Sequence, residues 1–262
     1  MDIGFSARYG PQCWMVCSPG HPGEEEGNVA DRTFYRTGAG AAIIGAILAI
    51  VFNILHPRPT GDPGDTEAHL RLVADSDIWL LDHIALGIAI LLTALGLITI
   101  LRSVETDGET AWAWGRLAIV AALLSASFAM AVIAVDGLGL KAAADSWAGA
   151  QDKAGALLAA GTAENIAVGF FTWLIVLQFG ALPLLVGMAL SNSSYPRWLG
   201  TVAMLAGALG LVTGLVQAFS GLTTATASIM FPISSIAFTV VTLVAGINLW
   251  RRTESTGASV PT

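Results

Sequence analysis

Charge is scarce in this sequence, and cysteine and lysine are scarcer. Of 262 residues 12% are charged, against the roughly 25% usual in a soluble domain, while 55% are hydrophobic. A chain so poor in charge cannot cover a water-facing surface with polar groups. Lysine occurs only as Lys141 and Lys153, and the formal net charge is −7. No basic patch is available to hold nucleic acid, so that class of partner is excluded. The two cysteines, Cys13 and Cys17, are one residue too far apart for a C-x-x-C redox or zinc knuckle, and no second pair completes a metal site.

Other chemistry is absent as well. No H-E-x-x-H occurs, and no phosphate-binding loop, dinucleotide fingerprint or nucleophile elbow stands in a strand–turn–helix context. A haem held between helices needs axial ligands within the membrane, and of the histidines only His83 approaches a hydrophobic run. No catalytic residue, metal ligand set or cofactor is expected, which points away from an enzyme.

What the sequence has is long hydrophobic runs, each the length that crosses a hydrocarbon core about 30 Å thick. The expected fold is an all-α membrane protein with six transmembrane helices, over about Thr37–Leu55, Ile78–Leu101, Trp112–Val135, Glu164–Leu190, Trp198–Phe219 and Ser228–Trp250. The first is stopped by His56-Pro57-Arg58-Pro59. The fourth carries Pro183 and the sixth Pro232, where a kink or local unwinding is expected. Gly210 and Gly214 in the fifth have the G-x-x-x-G spacing that lets helices touch backbone to backbone.

Between the first two spans, Glu67–Ala74 is amphipathic, with Leu70, Val73 and Ala74 on one face, and is expected to lie along the membrane interface. The connection from Asp136 to Thr162 reads as a surface helix or helix pair. Residues 1–28 read as a disordered tail. Gly23-Glu24-Glu25-Glu26-Gly27 could be encoded by a ribosome-binding-like purine string, placing a natural start near Val29. The segment 253–262 reads as a second disordered tail, leaving 29–252 as the transmembrane domain.

Arginine sets the orientation, because cytoplasmic flanks retain positive charge. Arg32, Arg36, Arg102, Arg116, Arg197, Arg251 and Arg252 fall on one side, and only Arg58, Arg71, Lys141 and Lys153 on the other. Both termini are therefore expected in the cytoplasm, in the plasma membrane of a prokaryote. Trp79, Trp112, Trp114, Trp198 and Trp250 lie near predicted boundaries, where amphipathic rings are favoured.

The second and fourth spans open alike: Asp82-His83-Ile84-Ala85-Leu86-Gly87-Ile88 and Glu164-Asn165-Ile166-Ala167-Val168-Gly169-Phe170. Trp114 and Trp198 each open the span that follows, and Asp136-Gly137-Leu138 corresponds to Ser220-Gly221-Leu222. Spans two and three and spans four and five thus read as tandem hairpins. Parallel repeats of this kind occur among transporters without being diagnostic of them.

With this topology Asp82, His83, Asp136, Glu164 and Asn165 collect at the extracytoplasmic rim. Two readings stay open for the acids: capping of first helical turns, or a site for a ligand or ion that includes His83. His56 and His69 read as solvated loop residues. Gln178 is the deepest polar side chain, either bonded to a neighbouring helix or lining a cavity. The candidate ligand-binding set is therefore Asp82, His83, Asp136, Glu164, Asn165 and Gln178. The expected function is a non-enzymatic accessory subunit, or a binder or transporter of a small molecule or ion. A membrane enzyme or redox subunit built on the same residues is the alternative. Expected partners are the lipid bilayer and another membrane protein or a second copy of the chain.

Three stretches carry a family likeness: Ile78-Trp79-Leu80-Leu81-Asp82-His83; Asp136-Gly137 with Leu140-Lys141-Ala142-Ala143-Ala144-Asp145-Ser146-Trp147; and Tyr195-Pro196-Arg197-Trp198-Leu199-Gly200. In these the chain resembles prokaryotic multi-pass membrane proteins classed as domains of unknown function, over about residues 30–250. The resemblance implies six membrane helices and transfers no activity or catalytic residue.

Overall fold

The computed structural model describes residues 22–58 and 62–255, with side chains from residue 31 onward. Cys13, Cys17, most of the expected N-terminal tail and the last residues of the C-terminal one lie outside the described residues.

Nine α-helices and three π-helical turns make up the described chain: α1 (Pro22–Leu55), α2 (Thr66–Asp75), α3 (Trp79–Ser103), α4 (Glu109–Val132), α5 (Leu140–Gly149), α6 (Lys153–Leu174), α7 (Leu182–Ser191), α8 (Arg197–Ser220) and α9 (Phe231–Ser255). The π turns are Ile133–Gly139, Ile175–Ala181 and Ala225–Met230, so α4 runs through a π turn into α5, and α6 through another into α7. Among the described residues six helical segments are long and apolar enough to span a membrane. The all-α membrane fold expected from the sequence is the observed one.

The outward faces are apolar throughout: Ile44, Leu91, Leu124, Leu205, Phe219 and Ile236 are all exposed. In water such a surface would drive aggregation, whereas in lipid it costs nothing. The protein is a multi-pass membrane protein.

Two spans are much longer than a bilayer requires. Glu109–Gly149 has 41 residues and Lys153–Ser191 has 39, each about 60 Å at 1.5 Å per residue. The connection expected as a separate surface helix or pair is instead the continuation of these two spans past one end of the bundle. There α5 and the first turns of α6 meet α2 and form a cap.

The cap is specified residue by residue. Asp65 accepts from Ala68 N and Asp152 from Gly155 N, each at a helix N-terminus, the geometry that satisfies free N–H groups. Lys141 Nζ donates to Ala74 O at the end of α2 (2.8 Å), and Lys153 Nζ to Trp147 O and Ala148 O at the end of α5. Leu70 and Val73 of α2, expected to rest on lipid, are instead fully buried against Trp79, Leu140, Ala144 and Trp147. The amphipathic pattern was real, but its apolar face meets protein.

The prolines account for two of the π turns. Pro183 and Pro232 each lie just beyond one, where a missing N–H frees a carbonyl one turn earlier. For Pro183 that carbonyl belongs to Phe179, and it accepts from Ser234 Oγ of α9 at 3.2 Å. α8 approaches the same turn closely: a Cβ on Gly210 would collide with the Phe179 carbonyl, and one on Gly214 with Val176. The G-x-x-x-G spacing therefore marks a backbone-to-backbone contact.

The end of the bundle opposite the cap is fastened by loops. Asp107 accepts from Ser194 N and Oγ, Arg252 donates to Ser194 O and stacks over the Tyr195 ring, and Tyr195 OH meets Ser103 Oγ at 2.9 Å.

A histidine–carboxylate cluster as candidate site

Where α3 begins, beneath the cap, the three described histidines surround one tryptophan. The ring of Trp79 has its centroid 4.6 Å from that of His83, 5.5 Å from His56 and 6.0 Å from His69. Trp79, expected as an interfacial anchor, is 1% exposed. Its Nε1 donates to Asp136 O at 3.3 Å. Trp112 and Trp198 do lie exposed near span ends, as the interfacial pattern predicts.

Each histidine uses Nδ1 on an oxygen. His56 Nδ1 lies 2.6 Å from Asp82 Oδ2, His69 Nδ1 lies 2.8 Å from Glu164 Oε1, and His83 Nδ1 lies 2.8 Å from the Trp79 carbonyl. A carbonyl only accepts, so His83 Nδ1 is a donor. Its Nε2 faces Asp136 Oδ2 at 3.2 Å. In a neutral ring with Nδ1 protonated, that contact sets two lone pairs against each other. A second proton or another cation between them is required.

Asp82 is 1% exposed and Glu164 5%, and burying a carboxylate costs several kcal/mol unless it is paired and hydrogen-bonded. Each acid has one hydrogen-bonded histidine, and His83 Nδ1 stands a further 4.0 Å from Asp82 Oδ2. Their other oxygens, Asp82 Oδ1 and Glu164 Oε2, are buried without any partner in the protein. Asp82 does lie in the first turn of α3, though without a cap hydrogen bond, whereas α6 is capped by Asp152 and Glu164 lies in its interior.

Local sequence explains the positions. His56 follows the last residue of α1, which Pro57 terminates, and α1 packs along α3, so the end of one meets the start of the other. The π turn Ile133–Gly139 carries Asp136, and π turns recur at functional sites. Gly137 in that turn is the close-approach point, since a Cβ there would stand 2.7 Å from His83 Cβ.

Of the expected set, Asp82, His83 and Asp136 come together, and Glu164 joins the same end through His69. Asn165 does not: it is exposed on the outer face of α6. Gln178 lies in the π turn Ile175–Ala181, about 20 Å along the helix from Glu164 at 1.5 Å per residue, with a buried, unpartnered Oε1. Gln217, passed over in the sequence, has a similarly buried Oε1, and its Nε2 donates to Thr172 Oγ1 at 2.8 Å.

His56 and His69 correct the solvated-loop expectation, and both had readable signals. His56 sits where Pro57 ends a span, at the level where the next antiparallel span begins. His69 shares a helical face with Leu70 and Val73. With His56 included, a ligand set that the sequence did not suggest appears: one donor atom from each of His56, Asp82 and His83 lies within 4.8 Å of the other two.

No family model, curated protein or solved structure matches this chain. Its chemistry must be read from this cluster.

Proposed function

We propose that the protein is a non-enzymatic membrane protein that binds a cation beneath its cap, at the extracytoplasmic end of the bundle. The observation that carries this reading is the pair of buried carboxylate oxygens, Asp82 Oδ1 and Glu164 Oε2, left without partners. A bound cation would satisfy both the geometry and the charge.

The field at this end favours cations. Between residues 56 and 82 and between 136 and 164 the chain carries ten carboxylates against four basic side chains, a distribution that raises local cation concentration. The arginines gather toward the other end, which supports a cytoplasmic placement for both termini and for that side.

Tandem hairpins fit the same reading. Asp82 and Glu164, equivalent in the repeated segments, each meet the Nδ1 of one histidine and each keep one oxygen unpartnered. A repeat would thus have supplied two acids to one rim.

Thermal unfolding of the detergent-purified protein across a series of mono- and divalent cations tests the proposal. A cation at a hundred times its Kd should stabilise the fold by about 2.7 kcal/mol. Asp82→Asn and Glu164→Gln should reduce that gain more than they change the ion-free melting temperature. Equal melting temperatures with and without every cation would contradict it.

A further inference from the structure

We infer that His56, Asp82 and His83 form a site for one divalent transition-metal ion of the zinc class. This rests on the reading of the capped end as a cation site and names the ion that the site selects.

Donor chemistry decides the class. Calcium and magnesium take shells of oxygen ligands, whereas two imidazoles and a carboxylate suit zinc, copper(II), cobalt or nickel. A thiolate, which would favour copper(I), is not in the set. Three protein ligands with a position left for water is also the pattern of open zinc sites.

The geometry is close to what such an ion needs. Metal–ligand bonds of about 2.0–2.2 Å in a tetrahedron put donor atoms roughly 3.4 Å apart. The donors here lie within 4.8 Å of one another, so small side-chain rotations close the shell. His56 Nδ1 and Asp82 Oδ2 already stand 2.6 Å apart about a shared proton. The ion takes the place of that proton, which moves to His56 Nε2, the other nitrogen of the ring.

Two further features point to an ion instead of a self-contained hydrogen-bond network. Asp82 Oδ1 is unpartnered in a side chain that is 1% exposed. His83 Nδ1 is the ring nitrogen that stands 4.0 Å from Asp82 Oδ2; on binding it exchanges its hydrogen bond to the Trp79 carbonyl for the ion, with the ring proton on Nε2. Asp136 Oδ2, 3.2 Å from that Nε2, then accepts its N–H, the outer-shell carboxylate that commonly fixes a ligating imidazole.

The test uses the full chain in mild detergent, stripped with chelator and titrated with Co²⁺ as a spectroscopic probe. One equivalent should bind with ligand-field bands of a low-coordinate nitrogen–oxygen site, and Zn²⁺ should displace it where Ca²⁺, Mg²⁺ and Na⁺ do not. His56→Ala and Asp82→Asn should weaken binding at least about tenfold, and Asp145→Asn, an exposed acid of the cap, should leave it unchanged. Because His56→Ala strips Asp82 of its partner, His56→Gln serves beside it: the amide can still donate to Asp82 but offers no imidazole lone pair. Cu²⁺ bound to the unaltered protein should show hyperfine coupling to two imidazole nitrogens. Stabilisation by Ca²⁺, Mg²⁺ or Na⁺ equal to that by Zn²⁺, or Co²⁺ binding indifferent to His56 and Asp82, overturns the metal assignment while leaving a cation site standing. Absence of stabilisation by any cation overturns both.

Discussion

His56, just past the end of α1, and Asp82, in the first turn of α3, are 26 residues apart, yet their side chains meet at 2.6 Å. The contact joins the end of α1 to the start of α3 and holds a carboxylate that water scarcely reaches. Removing His56 leaves Asp82 with both oxygens unpartnered, which costs about 1–3 kcal/mol. His56→Ala should therefore lower the ion-free unfolding free energy by that amount, while His56→Ala in an Asp82→Asn background should cost much less. Additive losses in this double-mutant cycle would show that the pair contributes no coupling.

The cap depends on its apolar seam. Leu70 is fully buried between α2 and α5, and truncating such a side chain costs about 2–5 kcal/mol. Leu70→Ala should accelerate amide hydrogen exchange in α2 and α5 while α3 and α8 keep their protection. Uniform acceleration through all helices would mean that the cap does not open as a local unit.

How much of this was legible in the sequence varies by element. Hydropathy located all six spans because apolar length is a one-dimensional property. Pro183 and Pro232 foretold their irregular turns, since a missing N–H acts locally. The third and fourth spans read too short in sequence because Lys141, Asp145 and Lys153 mark an exit from the membrane, which they make without the helix ending. The cluster was half visible. Asp82, His83, Asp136 and Glu164 drew attention as ionisable residues at span ends, but His56 and Trp79 matter only through partners distant in sequence, which no local pattern specifies. Asn165 matches His83 in the repeated segment, but helix rotation points it outward.

Close packing at the α8 crossing gives a second stability test. Gly210→Ala would drive a methyl group into the Phe179 carbonyl, and overpacking of this kind costs about 1–3 kcal/mol. Thermal unfolding in detergent should show that loss, whereas Ala208→Gly, on an exposed face of the same helix, should cost only about 0.5–1 kcal/mol. Equal effects would argue against tight contact at Gly210.

At the opposite end, burial pushes the Tyr195 phenol above its ordinary range; Asp107 and Tyr35 add to this, and the Ser103 hydrogen bond and Arg252 oppose it. A phenol whose value is raised in the fold ionises first in the unfolded chain. Its contribution is fully present below the unfolded value of about 10 and declines as pH rises through the folded value. Melting temperatures followed from about pH 8 to 11 should fall more steeply for the unaltered protein than for Tyr195→Phe, which loses about 1 kcal/mol of hydrogen bonding near neutrality. Parallel curves would contradict this role.

Orientation is open to labelling. With Cys13 and Cys17 replaced by serine, Ser146→Cys in the cap should react with a membrane-impermeant maleimide on intact cells. Thr106→Cys at the opposite end should react only after permeabilisation. The reverse pattern would place the histidine cluster on the cytoplasmic side.

The central claim is that a metal ion sits among His56, Asp82 and His83, and anomalous diffraction from crystals grown with Zn²⁺ tests it most directly. One strong peak at the zinc edge within bonding distance of those three side chains is the expected result. Zinc found only elsewhere, with a hydrogen bond still joining His56 to Asp82, would contradict it.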